Sequence, residues 1–348
     1  MIAEKFLNRR FDDLMTVAKG IKRGLTTRHM ALTPSDFDGR RYTPEEFHRF
    51  TAAFFDDPGG FYQDFNAPGA APELHGEEAF EHGVVRDWSM PSGVTGPDPE
   101  NNRVRFKQVV SSVGEERGTL FLLPGWLSPR VNVELGICRD LAAHGIGALV
   151  MSPPFSQQRT PAGWASGLKF VSGDVYATVA NFRQCVSDAL GVLNWARRDG
   201  FSPGRAAAGI TLAGISLGGV LVQLISNVFA AERMILIISG CQLGDIVWDG
   251  KLTRRLKRDI IRGGIGREEL NRVWAILDPK HMGGNCLVPR ENIRLLASKY
   301  DQIIHPPYQQ RLWEALGRPE RHQYNSAHYS VAFHLKDIKA RIVNLMTQ

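Results

Sequence analysis

The sequence predicts an α/β fold in which helices cover both faces of a mostly parallel central sheet. Short apolar runs recur along the chain, for example over residues 118–125 and 234–238, and such runs are typical of buried parallel strands. Segments with helical spacing separate these runs, and Gly145 and Gly200 close two of the helices. Alternation of this kind is the pattern of a parallel sheet, because each parallel connection needs a crossover.

Residues 1–76 are predicted to form a helical extension in front of this sheet. Thr43 and Glu46 have the spacing of a capping box, so a second helix is expected to begin there. A linker rich in proline and glycine over 66–76 closes the extension. The first helix is predicted from apolar side chains at helical spacing, namely Phe11, Leu14, Met15, Ala18 and Ile21.

The predicted core comprises residues 77–240 and 291–348. Two segments in which apolar and polar residues alternate, 82–90 and 103–112, predict antiparallel strands. Buried strands are predicted over 118–125, 146–155, 207–214, 233–240 and 292–301, and a short strand over 321–328. Helices are predicted over 132–145, 175–200, 217–230, 307–317 and 337–346.

Residues 241–290 interrupt the alternation because they contain no clear strand. The stretch from 249 to 279 predicts two or three helices, and an insertion of this length is expected to form a helical cap over an active site. The aromatic side chains of the extension have two interpretations. They pack on the flank of the sheet, or they line an acyl pocket together with the cap; they are Phe47, Phe50, Phe54 and Phe55.

The composition is that of an ordinary globular protein. Hydrophobic residues make up 43% and charged residues 22% of the 348 residues, and the net charge is +6, which neither requires nor excludes anionic partners. The N-terminal segment lacks the apolar core of a signal peptide, and the apolar runs are too short to span a bilayer, so a cytoplasmic protein is expected. The widely spaced cysteines favour free thiols and leave one disulfide open among Cys138, Cys185, Cys241 and Cys286.

Residues 211–225, TLAGISLGGVLVQLI, place the pattern Gly-x-Ser-x-Gly between a predicted strand and a predicted helix. A serine hydroxyl is a weak nucleophile at neutral pH and needs an adjacent base. A sharp strand-to-helix turn with small flanking residues exposes such a serine to its substrate. Ser216 is therefore a candidate nucleophile. The alternative is that Gly214 and Gly218 only allow a turn to pack closely.

An orienting acid and a base are expected after the serine along the chain. Asp301 ends one predicted strand, and His328 ends the next. Because the carboxyl ends of parallel strands share one edge of the sheet, where ligands bind, we expect both residues near Ser216. Asp278 is the alternative acid, but it lies in the predicted cap. The other nine histidines are interpreted as structural, although His305 is close enough to Asp301 in sequence to contact the site.

Acyl transfer also needs hydrogen-bond donors for the oxygen that becomes negative. The backbone N–H of Leu217 is one candidate, because it begins a predicted helix whose dipole favours negative charge there. The backbone N–H of Trp126 is the other, because Trp126 follows the strand that ends in Pro124-Gly125. Packing over the sheet is the alternative role of Trp126. The two roles are compatible because the donor is in the main chain.

These segments together resemble the alpha/beta hydrolase superfamily over residues 82–345. The likeness rests on LLPGW (122–126), GISLGG (214–219), ASKYDQIIHP (297–306) and NSAHYS (325–330). It implies the alpha/beta hydrolase fold, with Ser216 as nucleophile, Asp301 as orienting acid and His328 as general base. It also implies the N–H groups of Leu217 and Trp126 as oxyanion donors. A Pro-Gly pair replaces the His-Gly of many members, and Ser-Ala-His replaces the common Gly-His. SPPFSQQRTP (152–161) and AHYSVAF (327–333) are most similar to uncharacterised alpha/beta hydrolase domain proteins with a helical N-terminal extension.

Other chemistries have little support in the sequence. It contains no HExxH motif, no Cys/His ligand set and no GxxxxGK[ST] loop, so no metal or cofactor is predicted. Nucleic acid is not an expected partner, because interleaved aromatics and a recognised module are absent. Seven basic residues of the predicted cap form either a solvated face or a contact with an anionic membrane surface or substrate: Lys251, Arg254, Arg255, Lys257, Arg258, Arg262 and Arg267.

The function predicted from the sequence is a serine hydrolase that cleaves a carboxylic ester of a small molecule or a lipid through an acyl-enzyme. The same residues could instead cleave an amide or peptide bond, or transfer the acyl group to an acceptor other than water. A non-catalytic binding or scaffold protein on the same fold is the alternative of another class. The acyl group, the alcohol group and the oligomeric state do not follow from the sequence.

Overall fold

The structure is a computed structural model that describes residues 2–26, 35–62, 71–114, 116–201 and 208–347. Its central element is a nine-stranded sheet. In chain order the strands are β1 (Glu73–Phe80), β2 (Gly83–Pro91), β3 (Arg103–Ser111), β4 (Thr119–Leu123), β5 (Gly147–Ser152), β6 (Ile210–Ile215), β7 (Arg233–Ile237), β8 (Ile293–Ser298) and β9 (Glu320–Tyr324). Across the sheet they follow the order β1-β2-β3-β5-β4-β6-β7-β8-β9.

Consecutive strands from β5 to β9 in this order are parallel, whereas β1, β2 and β3 pair in antiparallel fashion at one edge. The prediction of a mostly parallel sheet that begins with antiparallel strands is confirmed. β4 and β5 are buried along their whole length. For this reason their sequences are continuous apolar runs rather than alternating ones.

Helices cover both faces of the sheet, as predicted. The helices among the described residues are α1 (Ile2–Thr26), α2 (Pro44–Ala52), α3 (Pro58–Tyr62), α4 (Asn132–Ala142), α5 (Val175–Trp195), α6 (Leu217–Ser226), α7 (Leu243–Asp249), α8 (Arg254–Arg262), α9 (Arg267–Val273), α10 (Pro279–Met282), α11 (Pro306–Ala315) and α12 (Leu335–Met346). Successive side chains of β4 point to opposite faces. Phe121 and Leu123 join a core with α5 and α6, whereas Leu120 and Leu122 join a second core with α4 and α12.

The N-terminal extension begins with helices and ends differently from the prediction. The capping box of α2 is confirmed, because Thr43 and Glu46 each accept the other's backbone N–H. The linker predicted over 66–76 needs correction, since β1 begins at Glu73, while residues 66–70 lie outside the described residues. β1 is an exposed edge strand with charged side chains. It therefore lacks the apolar alternation that marks a half-buried strand.

The insertion at 241–290 lies between β7 and β8 and is helical, with α7 to α10 along its length. Both halves contribute side chains to the core, but only the first half also lines the cavity described below. The first half contributes Leu243 and Ile246 to the wall of this cavity. The second half belongs to the core, where Trp274 is 1% exposed and donates to the Val175 carbonyl at 2.9 Å. Only part of the predicted cap therefore borders the cavity.

The cysteines carry no disulfide in this structure. Cys138, Cys185, Cys241 and Cys286 are all free thiols. Burial raises the pKa of the Cys138 and Cys185 thiols, which disfavours the reactive thiolate. Among the helices that the structure describes, none is long and apolar enough to cross a bilayer.

Candidate active site

Ser216 lies at the tight turn between β6 and α6 that the sequence pattern predicts. β6 ends at Ile215, and α6 begins at Leu217. Ser216 has a φ of 56° and a ψ of −115°, a conformation that a residue with a Cβ adopts only at an energetic cost. The Ser216 N–H donates to the Ile237 carbonyl of β7 at 2.8 Å. The neighbouring strand thus holds the turn, and a strained serine at a strand end is typical of a nucleophile.

The two glycines of this serine turn, residues 214–218, are required by the close approach of backbone atoms. A Cβ on Gly214 would lie 2.2 Å from the Gly218 carbonyl oxygen. A Cβ on Gly218 would lie 2.2 Å from the Leu123 carbonyl oxygen at the end of β4. Neither position accepts a larger residue unless the backbone moves, because interiors are close-packed. The packing role and the nucleophile role are therefore compatible, since the same packing shapes the turn.

Asp301 and His328, from the loops after β8 and β9, are in direct contact. The His328 Nδ1 and Asp301 Oδ2 atoms are 2.8 Å apart, and both residues are buried. We assign the ring proton to Nδ1 because a carboxylate faces that atom, which leaves Nε2 as an acceptor. This is the arrangement that a general base oriented by an acid requires.

A hydrogen-bond network fixes the Asp301 carboxylate on the far side of the imidazole from Nε2. The Asp301 Oδ1 atom accepts the N–H groups of Ile303 and Ile304 at 2.8 and 2.9 Å. The Gln309 Nε2 atom lies 3.4 Å from Asp301 Oδ2. The Gln309 amide also donates to the Ile304 carbonyl at 2.8 Å, so the loop after β8 closes around the carboxylate.

The alternative acid, Asp278, has different partners. Its Oδ1 atom accepts the backbone N–H groups of Gln242 and Lys280 at 3.1 and 2.9 Å, and burial raises the pKa of its carboxyl. Of the two carboxylates, Asp301 is the one in contact with His328. His305, the other histidine considered for contact with the site, precedes α11, and the centroid of its ring lies 6.4 Å from that of Tyr308.

Ser216 and His328 line the same cavity, which has a volume of about 260 Å³. Leu217 and Trp126, the predicted main-chain donors, also line it. The cavity wall is mostly aliphatic and includes Leu243, Ile246, Leu252, Ile303, Ile304 and Ile338. The aromatic side chains of the extension pack instead against the core that contains α5. A small apolar space thus opens next to the serine and the histidine.

Trp126 is held beside the serine turn. Its Nε1 atom donates to the Gly167 carbonyl at 2.7 Å. A Cβ on Gly125 would lie 3.7 Å from the Cβ of Ser216, so the loop after β4 passes next to the serine. Leu217 is the first residue of α6, and a helix N-terminus favours negative charge. The role of both N–H groups as oxyanion donors stays a prediction.

Asp12 of α1 is a residue of this region that the sequence does not reveal. Its carboxylate accepts the backbone N–H groups of His328 and Tyr329 at 2.7 and 2.8 Å. In the sequence of an amphipathic helix, an acid that will be buried looks the same as an acid that faces solvent. No local signal therefore marks Asp12. The apolar pair Ile303 and Ile304, directly after Asp301, is a signal that could have been found, because adjacent isoleucines in a loop indicate burial.

The basic residues of the insertion differ in their surroundings. Lys251 pairs with Asp13 of α1 at 2.8 Å, and Arg267 pairs with Asp245 at 2.7 Å. Arg258 of α8 is exposed, as is Arg254. Ion pairs within the protein therefore account for part of the cluster. For the exposed arginines, a solvated face and contact with an anionic membrane surface or substrate both stay open.

The sequence is similar to known proteins in its central part. The family model described as alpha/beta hydrolase domain containing 18 matches residues 100–263. This range includes Trp126 and Ser216 and ends before Asp301 and His328. The chain is also 29% identical over 98 residues to the uncharacterized protein YdjC of Bacillus subtilis (strain 168), over 28% of this chain and 83% of that protein.

Solved structures share the fold over most of the chain. The acetyl xylan esterase from Paenibacillus sp. R4 has a TM-score of 0.63 at 16% identity, covering 84% of this chain and 93% of its own. Acetyl xylan esterase 1 from Thermoanaerobacterium sp. JW/SL YS485 has a TM-score of 0.61 at 15% identity, covering 89% and 96%. The Pyrococcus horikoshii acylaminoacyl peptidase has a TM-score of 0.55 at 12% identity, covering 81% and 50%. Together with the sheet order these structures show an alpha/beta hydrolase fold, and the family-model match supports the alpha/beta hydrolase superfamily for this chain.

Proposed function

We propose that this protein is a serine hydrolase that cleaves a carboxylic ester through an acyl-enzyme intermediate. The observation that carries the proposal is the contact of His328 with Asp301 at a cavity that Ser216 also lines. The superfamily and the similar esterase structures support a hydrolase. The strained backbone of Ser216 supports its assignment as the nucleophile.

In the proposed first half-reaction, Ser216 Oγ attacks the ester carbonyl carbon while His328 Nε2 takes the hydroxyl proton. The carbonyl electron pair moves to oxygen, and the N–H groups of Leu217 and Trp126 donate to this oxyanion. The carbonyl then re-forms, the bond from carbon to the alkoxy oxygen breaks, and His328 gives its proton to the departing alcohol. Asp301 stabilises the imidazolium in between.

The second half-reaction repeats this chemistry with water. His328 takes a proton from water as the water oxygen attacks the acyl carbon of the Ser216 ester. When the tetrahedral intermediate collapses, the acid leaves and the Ser216 oxygen recovers its proton from His328. The serine, the imidazole and the carboxylate return to their starting state, so no cofactor is consumed.

The aliphatic wall of the cavity favours an ester over a peptide. A peptide brings additional amide groups, which cost free energy when they are buried without hydrogen-bond partners. The acyl chain of an ester has no such groups. Amide cleavage is the second candidate, because the similar acylaminoacyl peptidase is named as a peptidase.

We also propose that the ester is taken from an anionic lipid surface. In α1, the side chains of Phe6, Leu7, Leu14 and Val17 are 55 to 67% exposed, and at about 100° per residue they fall within one sector of the helix. Amphipathic helices of this kind bind membrane interfaces, and nearby basic residues add attraction to anionic lipids. Exposed Arg254 and Arg258 of α8 are the candidate basic residues.

The test combines hydrolysis of p-nitrophenyl esters of increasing acyl length with labelling by a fluorophosphonate probe. The wild type is expected to turn over esters and to be labelled. Ser216→Ala is expected to lose labelling and to lower kcat by about 10⁴-fold or more. Ser112→Ala is the control, because Ser112 is exposed and does not line this cavity, and it should keep both properties.

Two results would contradict parts of the proposal. Equal labelling of the wild type and Ser216→Ala, or labelling of neither, removes Ser216 as the nucleophile. Release of amine from peptide substrates without turnover of any ester replaces the esterase by an amidase.

A further inference from the structure

Helix α1 lies against the histidine loop, which we define as residues 325–334. The Asn8 Nδ2 atom donates to the Asn325 carbonyl at 2.9 Å. The ring centroids of Phe11 and Phe333 are 5.3 Å apart. These two contacts are made on either side of His328 along the loop. The helix therefore docks on the segment that carries the proposed general base.

Asp12 lies at the centre of this contact and is 1% exposed. Its Oδ2 atom accepts the His328 N–H at 2.7 Å, and its Oδ1 atom accepts the Tyr329 N–H at 2.8 Å. The two oxygens of one carboxylate thus hold two consecutive N–H groups, which restricts both the position and the orientation of this backbone. From this backbone the His328 side chain reaches Asp301.

A charged side chain at this position has a cost. Burial raises the pKa of Asp12, although the two N–H groups and His328 favour its charged form. From α1, the loop after β8 and the histidine loop itself, the ionisable groups that face His328 are Asp12, Asp301 and Tyr329. Removing this carboxylate from water costs free energy, and its hydrogen bonds to the two N–H groups offset that cost only in part. A role in holding His328 accounts for a carboxylate at this position despite the cost of burying it.

We infer that Asp12 is a positioning residue for His328, so that α1 is part of the hydrolytic machinery rather than a surface addition. This inference rests on the proposed function. In the proposed mechanism Asp12 does not contact the reacting atoms. It acts through the backbone of His328, and its negative charge also favours the imidazolium that forms during each half-reaction.

The test compares Asp12→Asn with Asp13→Asn in the full chain. Asp13 is the next residue of α1 and makes a half-exposed ion pair with Lys251, so its variant changes the same charge at the surface. In Asp12→Asn, kcat for a p-nitrophenyl ester per fluorophosphonate-titrated site is expected to fall about 10- to 100-fold, because a misplaced catalytic group costs rates of this order. KM should change less than about twofold, since the cavity wall is intact.

The pH profile distinguishes positioning from folding. In Asp12→Asn the acid limb of kcat/KM is expected to move to lower pH, because the imidazolium loses one neighbouring negative charge. A residue that only stabilises the fold would lower the number of titrated sites and the melting temperature, and would leave kcat per site and the acid limb unchanged.

The outcomes separate this inference from the proposed function. An active, labelled wild type with equal kcat and pH profile in Asp12→Asn and Asp13→Asn overturns the inference alone. A wild type with neither labelling nor ester turnover overturns the proposed function and the inference with it.

Discussion

The serine turn and the histidine loop of this protein are held in place by different kinds of contact. The turn around Ser216 is shaped by backbone atoms of its own neighbours and of β4, at positions where only glycine fits. The histidine loop is held by polar side chains from distant parts of the chain, Asp12 and Asp301. The first arrangement depends on steric exclusion and the second on convergent hydrogen bonds.

This difference predicts different responses to substitution. A steric contact between main-chain atoms cannot be relieved by rotating a side chain, so a change in the serine turn should act in an all-or-none manner. A hydrogen-bonded loop can lose one partner and keep others, so changes around His328 should produce graded losses of activity.

The largest effect is expected for Gly218→Ala. The new Cβ would lie 2.2 Å from the Leu123 carbonyl oxygen, so either the serine turn or the end of β4 must move. We expect ester turnover and fluorophosphonate labelling to fall below detection and the free energy of unfolding to fall by about 3 kcal/mol. Urea unfolding and the labelling assay measure the two effects.

The control for this prediction is Gly136→Ala in α4, where a Cβ would meet no atom within 4 Å. This variant should keep full activity and gain up to about 1 kcal/mol of stability, because alanine favours a helix over glycine. Normal labelling of Gly218→Ala would show that steric exclusion does not shape the serine turn.

The next effect is expected for Asp301→Asn. Loss of the carboxylate facing His328 Nδ1 removes the group that fixes the ring tautomer, and kcat should fall about 10⁴-fold with little change in KM. Asp278→Asn is the matched control, since Asp278 is the other buried acid considered for this role. Steady-state kinetics on one ester measure both variants, and a greater loss in Asp278→Asn would reverse the assignment.

The parts of the molecule that could be predicted from the sequence have a local signal or share one edge of the sheet. Buried parallel strands such as β4 are apolar without interruption, and the serine turn is a local pattern, so both follow from neighbouring residues. Asp301 and His328 were predicted because strand ends meet at one edge of a parallel sheet. The fold class and the superfamily were therefore predictable from short stretches of sequence.

What could not be predicted depends on contacts between distant residues or on weak local signals. The bond from Asp12 to the His328 backbone joins residues 316 positions apart. β1 is solvated and lacks apolar alternation, so its first residues were included in the linker predicted from proline and glycine. The sequence of the insertion predicts helices throughout. It does not show that Trp274 lies in the core while Leu243 borders the cavity, because burial of a short helix depends on what packs against it.

The cavity also has wall residues that belong to neither the serine turn nor the histidine loop. Leu252 of the insertion lines the cavity, so Leu252→Trp should narrow it. Turnover of long acyl esters should fall about tenfold relative to acetyl esters, because lost apolar burial of one or two methylenes is worth this much. The ratio of kcat/KM for long acyl esters to kcat/KM for acetyl esters measures this change. Leu287→Trp, at a position that is 50% exposed, should keep the wild-type ratio.

The histidine loop should show a smaller effect in stability than in activity. The pKa of Asp12 is raised above 3.8, first by burial. The favourable contribution of such an acid is fully present below its unfolded pKa and is lost as the pH rises through the folded value. The stability of the wild type relative to Asp12→Asn should therefore fall as the pH rises from 4 to 7. Urea unfolding at both pH values measures this difference.

The smallest effect is expected for the exposed arginines of α8, which are proposed to bind an anionic surface and belong to neither the serine turn nor the histidine loop. Arg258→Gln removes one positive charge that is exposed, and binding to vesicles rich in phosphatidylserine should weaken about fivefold, because one basic residue near an anionic surface is worth about 1 kcal/mol. Arg290→Gln removes an exposed charge elsewhere and should bind as the wild type does.

Flotation assays at low and high salt measure both variants, and the difference should disappear at high salt because exposed charges are screened. Ester turnover in solution should stay unchanged in both, since neither arginine lines the cavity described above. Equal vesicle binding by Arg258→Gln and Arg290→Gln would assign the basic residues of α8 to a solvated face.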